Sequence, residues 1–210
     1  ALALAKMGAN ITFIARNKAK AKNLLNDINK ISSGHNSFII ADLSSQKDIK
    51  AASENYINKN ISLDILLNNA GIINFKRKET IDGLEETFAL NHLAYFSLTN
   101  LLLDKIKESS SARIVNVSSA AHQFVKRMNF EDIQSEKSYK PFQVYGYTKL
   151  ANILFTKKLS SILKDKKISV NCLHPGVVGT SFGQNNTNNL NKVLSFIAKP
   201  FMRTSKKGAE

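Results

Sequence analysis

The chain predicts an α/β fold, a doubly wound parallel sheet with helices on both faces, and three observations carry that expectation. Short apolar runs alternate with longer helix-forming stretches, the order that generates parallel crossovers. The unusual polar groups, Asp42, Asn68 with Asn69, Ser118 with Ser119, and His174-Pro175-Gly176, each stand just past an apolar run. In such sheets ligands bind outside the carboxyl ends of the strands. Finally, Tyr145 and Lys149 lie four residues apart at the start of a helix-forming run, which puts them on one face, about 5–6 Å apart at Cβ.

Taken in order, residues 1–6 form a helical run that Gly8 stops, and residues 10–15 read as a buried strand. Residues 17–31 favour a helix with Leu24, Leu25 and Ile28 inward. A Ser-Ser-Gly-His-Asn turn leads to a strand over 37–41, followed by a helix over 45–57 and a strand over 63–67 that ends in Asn68-Asn69-Ala70-Gly71. A longer helix is expected over 83–107, a strand over 113–117, a helix running from Tyr145 to 164, and a strand over 168–173. The Asn-rich stretch 184–191 reads as a loop.

With 210 residues, 43% of them hydrophobic, the chain can bury one core of ordinary size, so a single domain over 1–210 is expected. Cys172 is alone, which leaves no internal disulfide and fits a reducing, intracellular compartment. Four scattered histidines give no metal motif. No apolar run approaches the roughly 18 residues that would span a membrane. The net charge of +14 comes from lysines interleaved with Asn, Leu and Ile, as over 17–30, without a dense basic block. That is a solvated surface able to steer a phosphorylated ligand, and nucleic acid is not an expected partner.

A phenol with a pKa near 10 is a poor proton donor at neutral pH and needs help. A positive charge about 4 Å away is worth roughly 4 kcal/mol at an effective dielectric near 20, enough to lower Tyr145 by roughly two to three pKa units. Lys149 can supply that charge. Tyr147, two residues before Lys149, faces elsewhere and is assigned to packing or to a substrate wall. An exposed Tyr/Lys pair would mean nothing alone, so the surrounding signals decide.

Asn68-Asn69-Ala70-Gly71, Asn91-His92-Leu93, Val117-Ser118-Ser119, Tyr145 with Lys149, and Pro175-Gly176 occur in an order that resembles the short-chain dehydrogenase/reductase family. The segment Ser135-Glu136-Lys137-Ser138-Tyr139, the continuation of the Tyr145 motif through Leu150-Ala151-Asn152, and His174-Pro175-Gly176-Val177-Val178 are similar to its retinol dehydrogenase branch. The resemblance implies a Rossmann-type sheet and a catalytic set of Asn91, Ser119, Tyr145 and Lys149. Tyr145 would exchange a proton with the substrate oxygen, and Ser119 would hydrogen-bond that oxygen. Lys149 would lower the tyrosine and hold the nicotinamide ribose, and Asn91 would hold a water leading to Lys149. Bland readings stand beside these: a helix residue bonding its own chain for Asn91 and a strand-end turn for Ser118 and Ser119.

For the cofactor, the resemblance implies Asp42 and Leu43 beside the adenine, Asn69, Ala70 and Gly71 under the adenosine ribose, and Pro175, Gly176, Val178 and Thr180 around the carboxamide. The alternatives are a helix cap at Asp42, a turn at 69–71 and a strand terminator at Pro175-Gly176. Arg16 decides the nucleotide. The tract Ile14-Ala15-Arg16-Asn17 carries no acid for a free ribose 2′-hydroxyl, and a guanidinium suits a 2′-phosphate, so NADP (NADPH) is expected over NAD.

The family's glycine-rich phosphate loop, its first strand and its last strand are absent from this sequence, and Ala94 stands where Gly is frequent. An internal portion of a longer enzyme is therefore expected, with any membrane anchor, at the endoplasmic reticulum or another internal membrane, in a segment outside it. The activity implied is interconversion of an alcohol with an aldehyde or ketone, on a small apolar substrate such as a retinoid, covered by residues 182–202. A carbonyl or steroid reductase, and a nucleotide-binding scaffold without turnover, remain as alternatives. Pairing into a homodimer is implied by analogy only.

Overall fold

A computed structural model describes residues 1–59 and 61–176. Helix α1 (Leu2–Lys6) ends at Gly8, whose φ of +89° suits glycine. Strand β1 (Thr12–Ala15), helix α2 (Lys18–Asn29) and strand β2 (Ser37–Ile40) form a parallel crossover, paired from Thr12 with Ser37 to Ala15 with Ile40. β1 begins two residues later than expected. The reason is that the residues before it are tied to the 34–36 turn: Asn10 Oδ1 accepts from His35 N–H, and Ile11 N–H donates to Asn36.

Asn17 caps α2 by accepting from Lys20 N–H, and Ser45 caps α3 (Gln46–Ile57) by accepting from Asp48 N–H. Within α2, Ala21 and Ile28 are buried, whereas Leu24 and Leu25 are only half-buried. Strand β3 (Ile65–Asn68) pairs in parallel with β4 (Ala112–Val117), and β4 with β5 (Ile168–Leu173). The last strand has the bounds read from the sequence.

The sheet is in two pieces, β1-β2 and β3-β4-β5, and no described strand pairs with both β1 and β3; the gap is where a doubly wound sheet seats the first strand that the sequence is expected to lack. The pieces meet through side chains: Ile39 of β2, Ile49 and Ala52 of α3, Leu66 of β3 and Ile114 of β4 belong to one buried cluster with α5. Helices α5 and α6 cover one face of β3-β4-β5, while Ile65 and Leu67 on the opposite face of β3 are about half exposed.

The single helix expected over 83–107 is broken at its start. Gly83 is in a turn at φ +72°, and the buried Glu85 caps the following turn by accepting from Thr87 and Phe88 N–H groups. That turn is α4 (Glu86–Phe88). It runs through a π-helical segment, Ala89–Leu93, into α5 (Ala94–Lys107). Helix α6 (Pro141–Ile162) starts four residues before Tyr145, at a proline that has no N–H to leave unpaired.

Candidate active site

Tyr145, Lys149, Asn152 and Thr156 recur at helical spacing along α6 and face the carboxyl ends of β3 and β4. Lys149 is 2% exposed, and its Nζ donates to Val117 O at 3.0 Å. Ser118, next along, returns a bond from Oγ to Lys149 O at 2.8 Å, so strand end and helix are joined twice. The ammonium lies 5.4 Å from the Tyr145 ring centroid and 5.8 Å from that of Tyr95. Tyr95 is held away by its own bond to Ala70 O, at 2.8 Å.

The electrostatics differ from the sequence expectation. Burial pushes Tyr145 up to about 12, against a hydrogen bond from Ser119 that draws it down. Burial also lowers Lys149 to about 8. Lys149 was expected to pull the phenol down. Desolvation is the larger effect at the phenol, and the ammonium spends a hydrogen bond on the Val117 backbone carbonyl. Ser119 Oγ also accepts from Ala121 N–H, the first turn of the 3₁₀ segment Ala120–Phe124.

Asn91 is fully buried in the π segment. It does not bond its own helix with its side chain. Oδ1 accepts from Ile72 N–H at 2.7 Å, and Nδ2 donates to Ile72 O at 2.9 Å and to Thr148 Oγ1 at 3.2 Å. The carboxamide therefore clamps the chain just after Gly71 to α6. A Cβ at Gly71 would lie 3.2 Å from Asn91 Oδ1 and 3.7 Å from Lys149 Nζ, so the backbone at 71 passes between the two.

On the other side, at the tips of β1 and β2, Arg16 Nη1 stands 3.8 Å from Asp42 Oδ2, both side chains about half exposed. Asp42 accepts from the N–H and Oγ of Ser44, an Asx turn that leaves the capping of α3 to Ser45. Leu43 packs on the core, and Asn69 is exposed. Past β5, His174 Nδ1 accepts from Ala120 and Gly176 N–H groups, and Gly176 has φ +84° after Pro175. Val178, Thr180 and the expected cover 182–202 lie outside the described residues. Asn91, Ser119, Tyr145, Lys149 and Gly71 thus converge, and Arg16 with Asp42 forms a second, outer pair.

Asn152 and His92 were read only as motif letters, yet both enter this network. Asn152 Nδ2 donates to Asn91 O at 2.9 Å and to Val117 O at 3.4 Å, and its Oδ1 bonds His92 Nδ1 at 2.9 Å. The signal was present in the spacing, since Asn152 stands seven residues after Tyr145 and three after Lys149. Among the described residues the Lys149 ammonium spends one donor, on Val117, which leaves two for a bound diol. With Gly71 leaving backbone in reach and Arg16 at the outer edge, the residues present fit a dinucleotide. Among the described residues no three His, Cys, Asp or Glu gather as metal ligands, and no helix is long and apolar enough to cross a membrane.

The short chain dehydrogenase family model matches residues 1–191. Retinol dehydrogenase 12 of Mus musculus is 36% identical over 210 residues, covering 99% of this chain and 65% of that protein. Polyprenol dehydrogenase of Homo sapiens is 39% identical over 184 residues, 84% of this chain and 56% of that one. The chain thus spans less than two thirds of these relatives. Among solved structures, a short chain dehydrogenase from Burkholderia cenocepacia in complex with NADP superposes with a TM-score of 0.69 at 24% identity, over 86% of this chain and 69% of that one, a likeness of fold.

Proposed function

Because the chain belongs to the short-chain dehydrogenase family, with the parallel sheets and flanking helices of a Rossmann-type fold, we propose that it serves an NADP-dependent oxidoreductase. The reaction interconverts an alcohol with an aldehyde or ketone, on retinol/retinal or another small apolar substrate. One observation carries the reading: the buried Lys149 ammonium, tied to the Val117 carbonyl at the end of β4, lies 5.4 Å from the Tyr145 ring centroid.

The nicotinamide, when bound, supplies or accepts the hydride. The chain's residues manage the proton. With its pKa raised to about 12, Tyr145 holds its proton at neutral pH, the state needed to protonate a carbonyl oxygen during reduction. Ser119 Oγ can donate to that same oxygen. Lys149 would hold the ribose hydroxyls with its two remaining donors, and its charge favours the phenolate left after transfer. Asn91 fixes the 71–72 backbone over the site. Arg16 would leave Asp42 for a 2′-phosphate, which a guanidinium can bind in two places. Exposed Phe96 and Leu154, on α5 and α6, offer apolar surface for a homodimer, and attachment to an internal membrane belongs to the same proposal.

The test is Tyr145→Phe in the intact protein, assayed for NADPH-dependent reduction of retinal. Turnover should fall by about 100-fold or more while nicotinamide fluorescence reports unchanged NADPH binding. Activity close to that of the unmodified protein would refute the role of Tyr145, and tighter binding of NADH than NADPH would refute that of Arg16.

A further inference from the structure

The Asn152 carboxamide joins the two backbone carbonyls on which the site depends. Val117 O anchors the Lys149 ammonium and also receives Asn152 Nδ2, while the other Nδ2 contact goes to the carbonyl of Asn91. Turning the amide over would aim Oδ1 at both carbonyls, acceptor against acceptor, so the orientation is chemically determined. Oδ1 then needs a donor, and His92 Nδ1 at 2.9 Å has to be one. The imidazole therefore carries its proton on Nδ1. Its ring lies against Phe88 and Phe155, with centroids 5.4 Å and 6.3 Å away, and burial holds it below the ordinary histidine range and so neutral.

Asn152 is fully buried, so its side-chain amide has no water to turn to in place of these partners. His92 follows Asn91 within the π segment, whose extra residue per turn marks a departure that helices keep mainly at functional sites. We propose that His92 and Asn152 are positioning residues: the Nδ1-protonated imidazole orients the amide, and the amide fixes the π segment against the end of β4, holding Lys149 beneath Tyr145. The pair acts through the Asn91 and Val117 carbonyls rather than on a reacting atom. Its kinetic consequence rests on the catalytic reading above; its tautomer does not.

The experiment has two arms, both on the intact protein. In the first, ¹⁵N NMR of the histidine side chains should show His92 protonated at Nδ1 at neutral pH, and protonation at Nε2 would overturn the proposal. In the second, Asn152→Ala and His92→Phe should each lower kcat by roughly 10- to 100-fold, the scale of small misplacements at a reacting centre, with KM for NADPH within about twofold. The pH profile of kcat should also move, since Lys149 titrates among Tyr145, Tyr95 and Cys172. His92→Asn, whose Nδ2 can stand in for Nδ1–H, should recover most of the rate. Variants that melt earlier but keep kcat, KM and pH profile would reduce the pair to packing and overturn the proposal. If the unmodified protein reduces no carbonyl, the proposed function has failed, and the tautomer alone decides the pair.

Discussion

Burial moves Lys149 and Tyr145 in opposite directions, each towards its neutral form: the amine from an ordinary 10.5 down to about 8, the phenol up to about 12. For Lys149 that shift corresponds to a folding penalty on the order of 3 kcal/mol while the unfolded chain holds a charged lysine. The unfolded state binds more protons between the two values, so stability rises with pH through about 8 to 10.5. Lys149→Met should therefore raise the melting temperature at pH 7, even after losing the bond to Val117, and the advantage should shrink as pH climbs through that window. A melting series from pH 7 to 10.5 checks it, and a constant difference would contradict the burial penalty. The sequence revealed which two residues meet but not this balance, because spacing on a helix says nothing about how much water the fold removes. For Asn152 the spacing showed only a shared helix face, and for His92 not even that, because their roles depend on backbone carbonyls brought together from β4 and the π segment.

At the scale of elements, α6 organises the site because one face carries its polar residues while Gly146 lets another face approach the 3₁₀ segment after Ser119. A Cβ at Gly146 would come within 2.7 Å of Ala121 O, a backbone atom that cannot step aside. Gly146→Ala should cost about 1–3 kcal/mol, as overpacking does. It should also lower kcat, by moving the turn that follows Ser119 away from Tyr145. Circular dichroism melts together with turnover measure both, and unchanged values would show that the segment shifts freely. The strand at 168–173 and the body of the Tyr145 helix were legible because an apolar-rich run stopped by His174-Pro175-Gly176 and a helix-forming run are local signals, although the helix begins four residues before Tyr145, at Pro141. The broken start of the 83–107 helix was not, since both the cap at Glu85 and the π turn follow from side chains bonding groups distant in sequence: Glu85 meets Tyr139, and Asn91 meets Ile72.

For the whole molecule, the alternation of strands and helices was enough to give parallel pairing and to place the polar residues at one edge, but not the division into β1-β2 and β3-β4-β5. Apolar runs carry no record of which edges meet, but the missing first strand expected from the resemblance stands between these two pieces in a doubly wound sheet. The division has a consequence for how the molecule opens. In this chain, where the first strand of the family's sheet is expected to be missing, no ladder bond among the described strands crosses from one piece to the other, so β1-β2 can detach by separating side chains alone, whereas β4 is bonded on both sides. Native-state amide exchange should accordingly sort the strands into two cooperative units, with β1 and β2 exchanging through a partial opening and β4 only through global unfolding. Equal protection across all five strands would mean instead that the packing of α3 on α5 is itself sufficient to make the molecule open as one.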